Sequence, residues 1–251
     1  MHSSDKNQPL LEMDQITTTM KGLHLPGMAA AWEAMRETRK ADSLTPAEAL
    51  ALLLQAETDS RRENRNNRLV KGARFRYKST LEELDFDPSR GMERKAVMAL
   101  ATCEYIRAGL PVIITGAAGT GKSYLASALG QQACMLGFKV RYFGLQKLFE
   151  EIAIQRVAGT IPRFFDKMSA TDLLIIDDFG LRCLDGQQML DFMELIEDRH
   201  GRRATIFVSQ VPVSNWYELM SENTTAADAI LDRIVHTAVR FDLKGDSLRK
   251  K

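Results

Sequence analysis

The sequence predicts an α/β fold: a five-stranded parallel sheet flanked by helices, behind a small all-α N-terminal domain. Three observations predict it. From about Leu110 onward, short apolar runs alternate with helical stretches, the pattern of strands joined by crossover helices. The first of these runs leads directly into a glycine-rich loop and then a helix. Upstream of them the chain reads as helix, and with 251 residues and 45% apolar content it can bury one larger core and a smaller appendage. The expected division is 1–79 for the helical domain and 80–251 for the sheet domain.

In the N-terminal part, Pro26-Gly27 is a break, and Met28–Arg39 is rich in strong helix formers. Thr45-Pro46-Ala47-Glu48 combines an N-cap, a proline at the first helical position and a glutamate at the third, a capping box that should open a second helix. Leu50, Leu53, Leu54 and Ala56 are its expected packing residues. From Thr58 to Arg68 there is no large apolar residue, so this end of the helix faces something polar. Between Arg61 and Lys78 stand Arg61, Arg62, Arg65, Arg68, Lys71, Arg74, Arg76 and Lys78 against Glu63 alone, the chain's one strong basic block.

The expected strands are Pro111–Thr115, Lys139–Phe143, Leu173–Asp177, Thr205–Ser209 and Ala238–Leu243. Helices are expected around Ser123–Leu136, Leu145–Arg156, Gln187–His200 and Ala226–Val235. Phe164-Phe165 and Trp216-Tyr217 sit among apolar neighbours and read as packing residues.

Composition narrows the function classes. Lys and Arg total 34 against 33 Asp and Glu, so any signal for a polyanionic partner has to be local. Cys103, Cys134 and Cys183 have neither a disulfide framework nor zinc-site spacing and are expected as small reduced core residues. The polar N-terminus and the lack of a long apolar run predict a cytoplasmic, soluble protein with no membrane partner.

The strongest motif is Gly116-Ala117-Ala118-Gly119-Thr120-Gly121-Lys122-Ser123, which satisfies GxxxxGK[ST] between a strand and a helix that continues with Tyr124. Glycines let successive backbone N–H groups turn onto phosphate oxygens, and the helix start adds its positive dipole end. Lys122 would reach the β and γ phosphates, and the Ser123 hydroxyl would be one ligand of Mg²⁺. A second element, Asp172-Leu173-Leu174-Ile175-Ile176-Asp177-Asp178, is an apolar strand ending in two carboxylates. Asp177 would hold Mg²⁺ beside Ser123. Asp178 would polarise the water that attacks the γ-phosphate, or simply cap the turn at Phe179-Gly180. It is one methylene shorter than a glutamate, which predicts modest turnover.

These motifs, with TTTMKGLHLPGMAAAWEAM, DLLIIDDFGL, IFVSQVPVSNWYELM and the tail ADAILDRIVHTAVRFDLKGDSLRKK, give the chain a specific resemblance. Over nearly its whole length it resembles IstB, the helper ATPase family of bacterial insertion sequences, which is related to the DnaC helicase loaders and the DnaA initiator. The resemblance implies a P-loop NTPase core of the AAA+ class that binds ATP and Mg²⁺ and works as an ATP-dependent oligomer on DNA. It also implies that Gln210, at the end of the fourth strand, acts as the sensor-1 polar residue; a turn residue before Pro212 is the alternative. Asp232-Arg233 matches the segment that supplies an arginine finger to a neighbouring subunit, against the alternative of a surface pair with Asp228 or Asp232. Arg249 matches the sensor-2 region of nucleotide-binding residues, but the sequence stops two residues later, so no C-terminal helical lid is expected.

The implied function is a slow ATPase, stimulated by DNA and by assembly, that helps DNA transposition. It would oligomerise on duplex target DNA with nucleotide at subunit interfaces, recruit the cognate transposase, and be remodelled by hydrolysis. The basic block Arg61–Lys78 is the expected contact to double-stranded DNA, largely independent of base sequence, or else a solvated linker. Lys139, Arg141, Arg156, Arg163, Lys167, Arg182, Arg202 and Arg203 are candidates for a second contact surface. Other readings of the same loop are a DnaC-like helicase loader favouring single strands, a small-molecule phosphotransferase, and a DNA-architectural protein with ATP as a structural ligand.

Overall fold

The computed structural model describes residues 13–39 and 43–248, which form two compact units dividing at Asn67/Arg68. The first contains α1 (Met13–Gly22), α2 (Pro26–Glu37) and most of α3 (Pro46–Ala73). The capping box at the start of α3 is present: the Glu48 N–H donates to Thr45 Oγ1 at 3.3 Å and the Thr45 N–H to Glu48 Oε2 at 2.8 Å. Helices α2 and α3 meet at Gly27, where a Cβ would lie 2.6 Å from the Ala56 carbonyl oxygen, so only glycine permits this approach. The buried Glu57 uses it, accepting the Gly27 N–H at 2.8 Å and the Met28 N–H at 3.2 Å. These two donors at the start of α2 have no intrahelical acceptor. The Arg61 guanidinium, first of all, and then these two N–H groups hold the Glu57 carboxyl below its ordinary pKa. Ala29, Met35 and Leu53 are the buried apolar residues here, whereas Leu50 and Leu54, expected to pack, are each 53% exposed. The helix buries a stripe, and the leucines to either side of Leu53 fall off it.

The second unit begins inside α3, earlier than the expected boundary after residue 79. The reason is packing: Leu69, Val70, Ala73, Phe75 and Leu81 all join the core on one face of the sheet. A 3₁₀ turn at Pro88–Arg90 and helices α4 (Arg94–Ala101) and α5 (Glu104–Arg107) lead to β1 (Val112–Gly116). There follow α6 (Lys122–Met135), β2 (Val140–Gly144), α7 (Leu145–Val157), α8 (Ile161–Ser169), β3 (Leu173–Phe179), α9 (Gly186–Arg199), β4 (Ala204–Ser209), α10 (Thr224–Val235) and β5 (Val239–Leu243). Among the described residues no helix follows β5. The five strands are parallel, in the order β2-β3-β4-β1-β5. All five coincide with the expected runs to within a few residues, because strands covered on both faces read as unbroken apolar segments.

Alternate residues of these strands feed two cores. Val112, Ile114, Leu173, Ile175, Ile206 and Val208 face α4, α5 and α6, while Ile113, Leu174, Ile176 and Phe207 face α7 to α10. Each such side chain contributes about 1.5–3 kcal/mol on burial. Phe164, Phe165 and Trp216 are core residues as expected, but Tyr217 is exposed. Cys103 and Cys134 are buried, their thiols pushed up to about 11 and about 12 chiefly by desolvation; Cys183, expected in the core, is exposed. Arg199 is fully buried, its guanidinium donating to Thr205 Oγ1 and to the carbonyls of Met168, Thr171 and Ala204. Burial, foremost, lowers its pKa to about 9.

The chain leaving α3 runs as a strap across β2 and α6. Arg141 Nη1 donates to the Gly72 carbonyl at 2.8 Å, the Phe75 ring meets Tyr142 edge-on, and Ser79 Oγ donates to the Tyr124 carbonyl at 3.1 Å. Phe75 rests on Gly130 of α6, where a Cβ would lie 2.5 Å from the phenyl ring. Alanine inside an exposed helix normally gains about 1 kcal/mol over glycine. Here Gly130→Ala should instead cost about 1–3 kcal/mol through overpacking. Urea unfolding followed by circular dichroism measures the sign; a stabilised variant would contradict the Phe75 contact.

Candidate functional site

The loop after β1 is shaped by residues that only glycine suits. At Gly116 φ is +142° and a Cβ would lie 2.2 Å from the Leu243 carbonyl oxygen; at Gly119 φ is +85° and it would lie 2.1 Å from Ser247 Oγ. Lys122 opens α6 and is nearly buried, with Nζ donating to the Ala117 carbonyl at 2.6 Å, and Thr120 Oγ1 donates to the same carbonyl at 2.9 Å. The loop is thus closed on its own acceptor, and the lysine is held at the mouth of a helix N-terminus, where phosphate binds. The Leu248 N–H donates to the Gly119 carbonyl at 3.0 Å, bringing the end of the described chain against the loop.

The expected residues converge here. One cavity of about 380 Å³ is lined by Ala118 to Tyr124 without interruption, by Asp178 at the end of β3 and by Gln210 just past β4. Its far wall is Tyr77, Glu83, Leu84 and Met92. Tyr124 Oη donates to Glu83 Oε2 at 2.8 Å; burial first, and then this carboxylate, raise the tyrosine's pKa. Arg249 lies outside the described residues.

Asp178 is reached through an irregularity of the sheet. The β3–β4 register shifts between Ile176 and Phe179, and Asp178 takes φ +57°, a left-handed conformation that a non-glycine residue rarely adopts. Ser209 braces the shift by donating to the Phe179 carbonyl at 2.7 Å and accepting the Val211 N–H at 3.0 Å. Asp177 has only 2% of its side chain exposed and is held by three donors: the Tyr142 hydroxyl, the Asp178 N–H at 2.7 Å and Arg76 Nη1 at 3.4 Å. The same Nη1 lies 3.0 Å from Asp178 Oδ2. Burial, ahead of the Asp177 charge, drives the Tyr142 hydroxyl far above its ordinary pKa, so it keeps its proton and donates a hydrogen bond to Asp177. For Arg76, desolvation alone would lower the pKa, but Asp178 and its neighbours outweigh it and raise it.

Arg76 and Tyr142 are the site residues that sequence reasoning missed. Arg76 was grouped with the DNA-facing cations, yet it lies 101 positions from Asp177 in the chain and no local spacing links the two. The other basic-block residues, Arg61, Arg62, Arg65, Arg68, Lys71, Arg74 and Lys78, are exposed. Among the core cations, Arg156 pairs with Asp191 and Arg203 with Asp172. Arg233 pairs with Glu197, and not with the Asp228 or Asp232 considered from sequence; its Nη1 also donates to the Ala229 carbonyl at 2.8 Å. It borders a hollow with Gly109, Pro111 and Thr205, at the amino ends of β1 and β4. The phosphate loop is at the carboxyl end of β1, so Arg233 stands at the opposite end of the sheet.

Of the residues expected around Mg²⁺, Ser123 and Asp178 line the cavity, whereas Asp177 lies outside its lining with its carboxylate engaged by Tyr142, the Asp178 N–H and Arg76. A hydroxyl and carboxylates are hard oxygens that suit Mg²⁺ held mainly by substrate and water. Among the described residues no group of three or more His, Cys, Asp or Glu could hold a metal by itself. Truncation of Lys122 removes a cation able to meet two phosphate oxygens at roughly 1.5–3 kcal/mol each, so Lys122→Ala should weaken a fluorescent ATP analogue about a hundredfold or more. Unchanged affinity in a variant with native circular dichroism would remove the lysine from the site.

A profile of the family described as IstB-like ATP binding protein matches residues 18–251. The insertion sequence ATP-binding protein y4pL of Sinorhizobium fredii is 39% identical over 238 residues, covering 95% of either chain. The IS21 ATP-binding protein of Pseudomonas aeruginosa is 28% identical over 239 residues, covering 95% of this chain and 90% of its own. Among solved structures, DnaI aligns with a TM-score of 0.57 at 18% identity over 71% of this chain and 94% of its own. DnaA of Aquifex aeolicus bound to AMPPCP aligns at 0.56 and 20% identity over 69% of this chain and 53% of its own.

Proposed function

The chain belongs to the family of IstB-like ATP-binding proteins, and from that premise we propose that it is a DNA-stimulated ATPase that assists transposition. In this reading ATP-bound subunits oligomerise on duplex target DNA, the assembly recruits the cognate transposase, and hydrolysis dismantles or remodels it. The observation that carries the reading is the separation of parts. The loop, Asp178 and Gln210 share one cavity, whereas Arg233 sits at the other end of the sheet. The two guanidiniums that line the cavity, Arg76 and Arg90, are paired with Asp178 and Asp85 in this chain, and Arg233 is the candidate for a further one supplied by a second copy.

Within one chain, Lys122 exchanges the Ala117 carbonyl for the β and γ oxygens, and the backbone N–H groups from Gly119 to Ser123 cradle the phosphates. Asp178 holds and polarises the attacking water, and the Gln210 amide donates to the γ-phosphate or that water. Ser123 and Asp177 would hold Mg²⁺, which supplies charge neutralisation between the β and γ phosphates. In the assembly Arg233 gives up Glu197 for the phosphate of the adjoining subunit.

Duplex binding rests on the exposed cations Arg61, Arg62, Arg65, Arg68, Lys71, Arg74 and Lys78. Each phosphate they neutralise releases a counterion, so affinity should fall steeply with salt and show little base preference. Among the described residues no helix is long and apolar enough to cross a membrane, in line with a protein acting on DNA in the cytoplasm. The fold it shares with DnaI and DnaC leaves a helicase-loader role as the competing reading.

ATP turnover and sedimentation, measured without DNA, with single strands and with duplexes of increasing length, separate the two. Turnover that rises with duplex length supports the transposition helper, and stimulation by single strands alone supports the loader. Arg233→Ala should retain nucleotide binding while losing assembly-dependent turnover by about a thousandfold. Full turnover by oligomers of this variant would refute the trans-acting role.

A further inference from the structure

Arg76 sits where two charge systems meet. It belongs to the strap leaving α3, and its guanidinium neutralises the Asp177–Asp178 pair, at 3.4 and 3.0 Å. It also lines both the 380 Å³ nucleotide cavity and a larger cleft of about 970 Å³ that runs behind the same two acids beside α7. Its immediate neighbours are fixed to the ATPase fold: Phe75 is wedged on Gly130 and Tyr142, and the Tyr77 ring packs 6.2 Å from that of Tyr124. The acids that pair with Arg76 are the ones that would hold Mg²⁺. A divalent cation and a guanidinium compete for them, and a guanidinium left beside Mg²⁺ is repelled. A γ-phosphate entering the cavity presents a tetrahedral, doubly charged group, two of whose oxygens a planar guanidinium fork can meet at once.

We propose that Arg76 is a cis-acting exchange residue: it holds Asp177 and Asp178 in the nucleotide-free chain, and passes to the γ-phosphate when the Mg²⁺-triphosphate takes over the acids. The strap residues 74–79, held in place by Phe75, Tyr77 and Ser79, register the exchange as a change in local stability. Because they continue from the basic helix α3, the γ-phosphate becomes legible to the segment proposed to contact duplex DNA. The coupling is reciprocal, so a ligand that draws the strap away from the acids favours triphosphate binding by the same factor. In this scheme Arg76 positions the acids before the triphosphate binds and contacts the γ-phosphate itself afterwards. The inference rests on the nucleotide-site reading above.

The test measures equilibrium binding of fluorescent ADP and of a non-hydrolysable ATP analogue, titrated with Mg²⁺, to wild-type protein and to Arg76→Ala and Arg76→Lys, beside amide hydrogen exchange across residues 70–80. Two opposed changes are expected in Arg76→Ala. The half-saturating Mg²⁺ concentration should fall several-fold, since nothing competes for the acids, and the preference for triphosphate over diphosphate should shrink about tenfold. Arg76→Lys, which keeps the charge without the fork, should restore the Mg²⁺ requirement but not the full preference. In the wild type, exchange at 74–79 should change with the ATP analogue and Mg²⁺ and not with ADP. A purely structural Arg76 would alter thermal stability and leave the Mg²⁺ requirement and the nucleotide preference untouched, and that result overturns the proposal. So does strap exchange that ignores the triphosphate. A wild-type chain that binds no nucleotide overturns the nucleotide-site reading and this inference together, whereas normal binding with an indifferent strap removes the inference alone.

Discussion

A carboxylate at the end of a fully buried apolar strand has to be matched by donors or protonated, and much of this protein's architecture around the sheet answers that requirement at Asp177. Leu173 to Ile176 are sealed from water on both faces, so the strand delivers its acid into a region with little solvent to stabilise a charge. The Tyr142 hydroxyl from β2, the amide of Asp178 and the guanidinium of Arg76 supply what water cannot. Two of these donors come from elsewhere in the chain. β2 has to pair with β3 in register, and the strap has to run over α6, before the acid is satisfied. Strand register, strap and site therefore meet at one electrostatic demand.

The sequence makes the sheet legible because parallel strands covered on both faces are written as unbroken apolar runs, each followed by a helix whose periodicity differs. Helices α1, α4, α5 and α8 are less visible. The last two are short and α4 is only eight residues long, and such segments owe their form to the surfaces they pack on more than to their own propensity. Leu50 and Leu54 mislead for the opposite reason: with Leu53 they have the i, i+3, i+4 spacing of one helical face, but the buried face is centred on Leu53 and Glu57 and leaves both exposed.

The site divides along the same line. Gly116–Ser123 is a contiguous segment whose chemistry can be read from spacing alone, and Asp177 and Asp178 follow from a strand end that the hydropathy pattern locates, whereas Gln210 is named only by the family resemblance. Arg76 could not be read this way. A run of cations looks uniform in sequence, yet one member of the run, itself partly exposed, pairs with acids that are about a hundred positions away in the chain. Arg199 shows the same blindness: its charge is spent on backbone carbonyls inside the core, with no sign of that in its sequence surroundings.

The left-handed backbone at Asp178 ties the choice of side chain to the shape of the sheet. Aspartate and asparagine visit φ near +57° more readily than longer residues do, because a short polar group can bond to its own surroundings there. A glutamate would reach further toward the attacking water, but it would enter a backbone state costing on the order of 1–2 kcal/mol, at a bulge already braced by Ser209. The length of the acid is thus set by the fold as much as by the reaction. Under the function proposed above, that bulge links the pace of hydrolysis to the geometry of the sheet, so a change in backbone shape at one strand end would act as a timer.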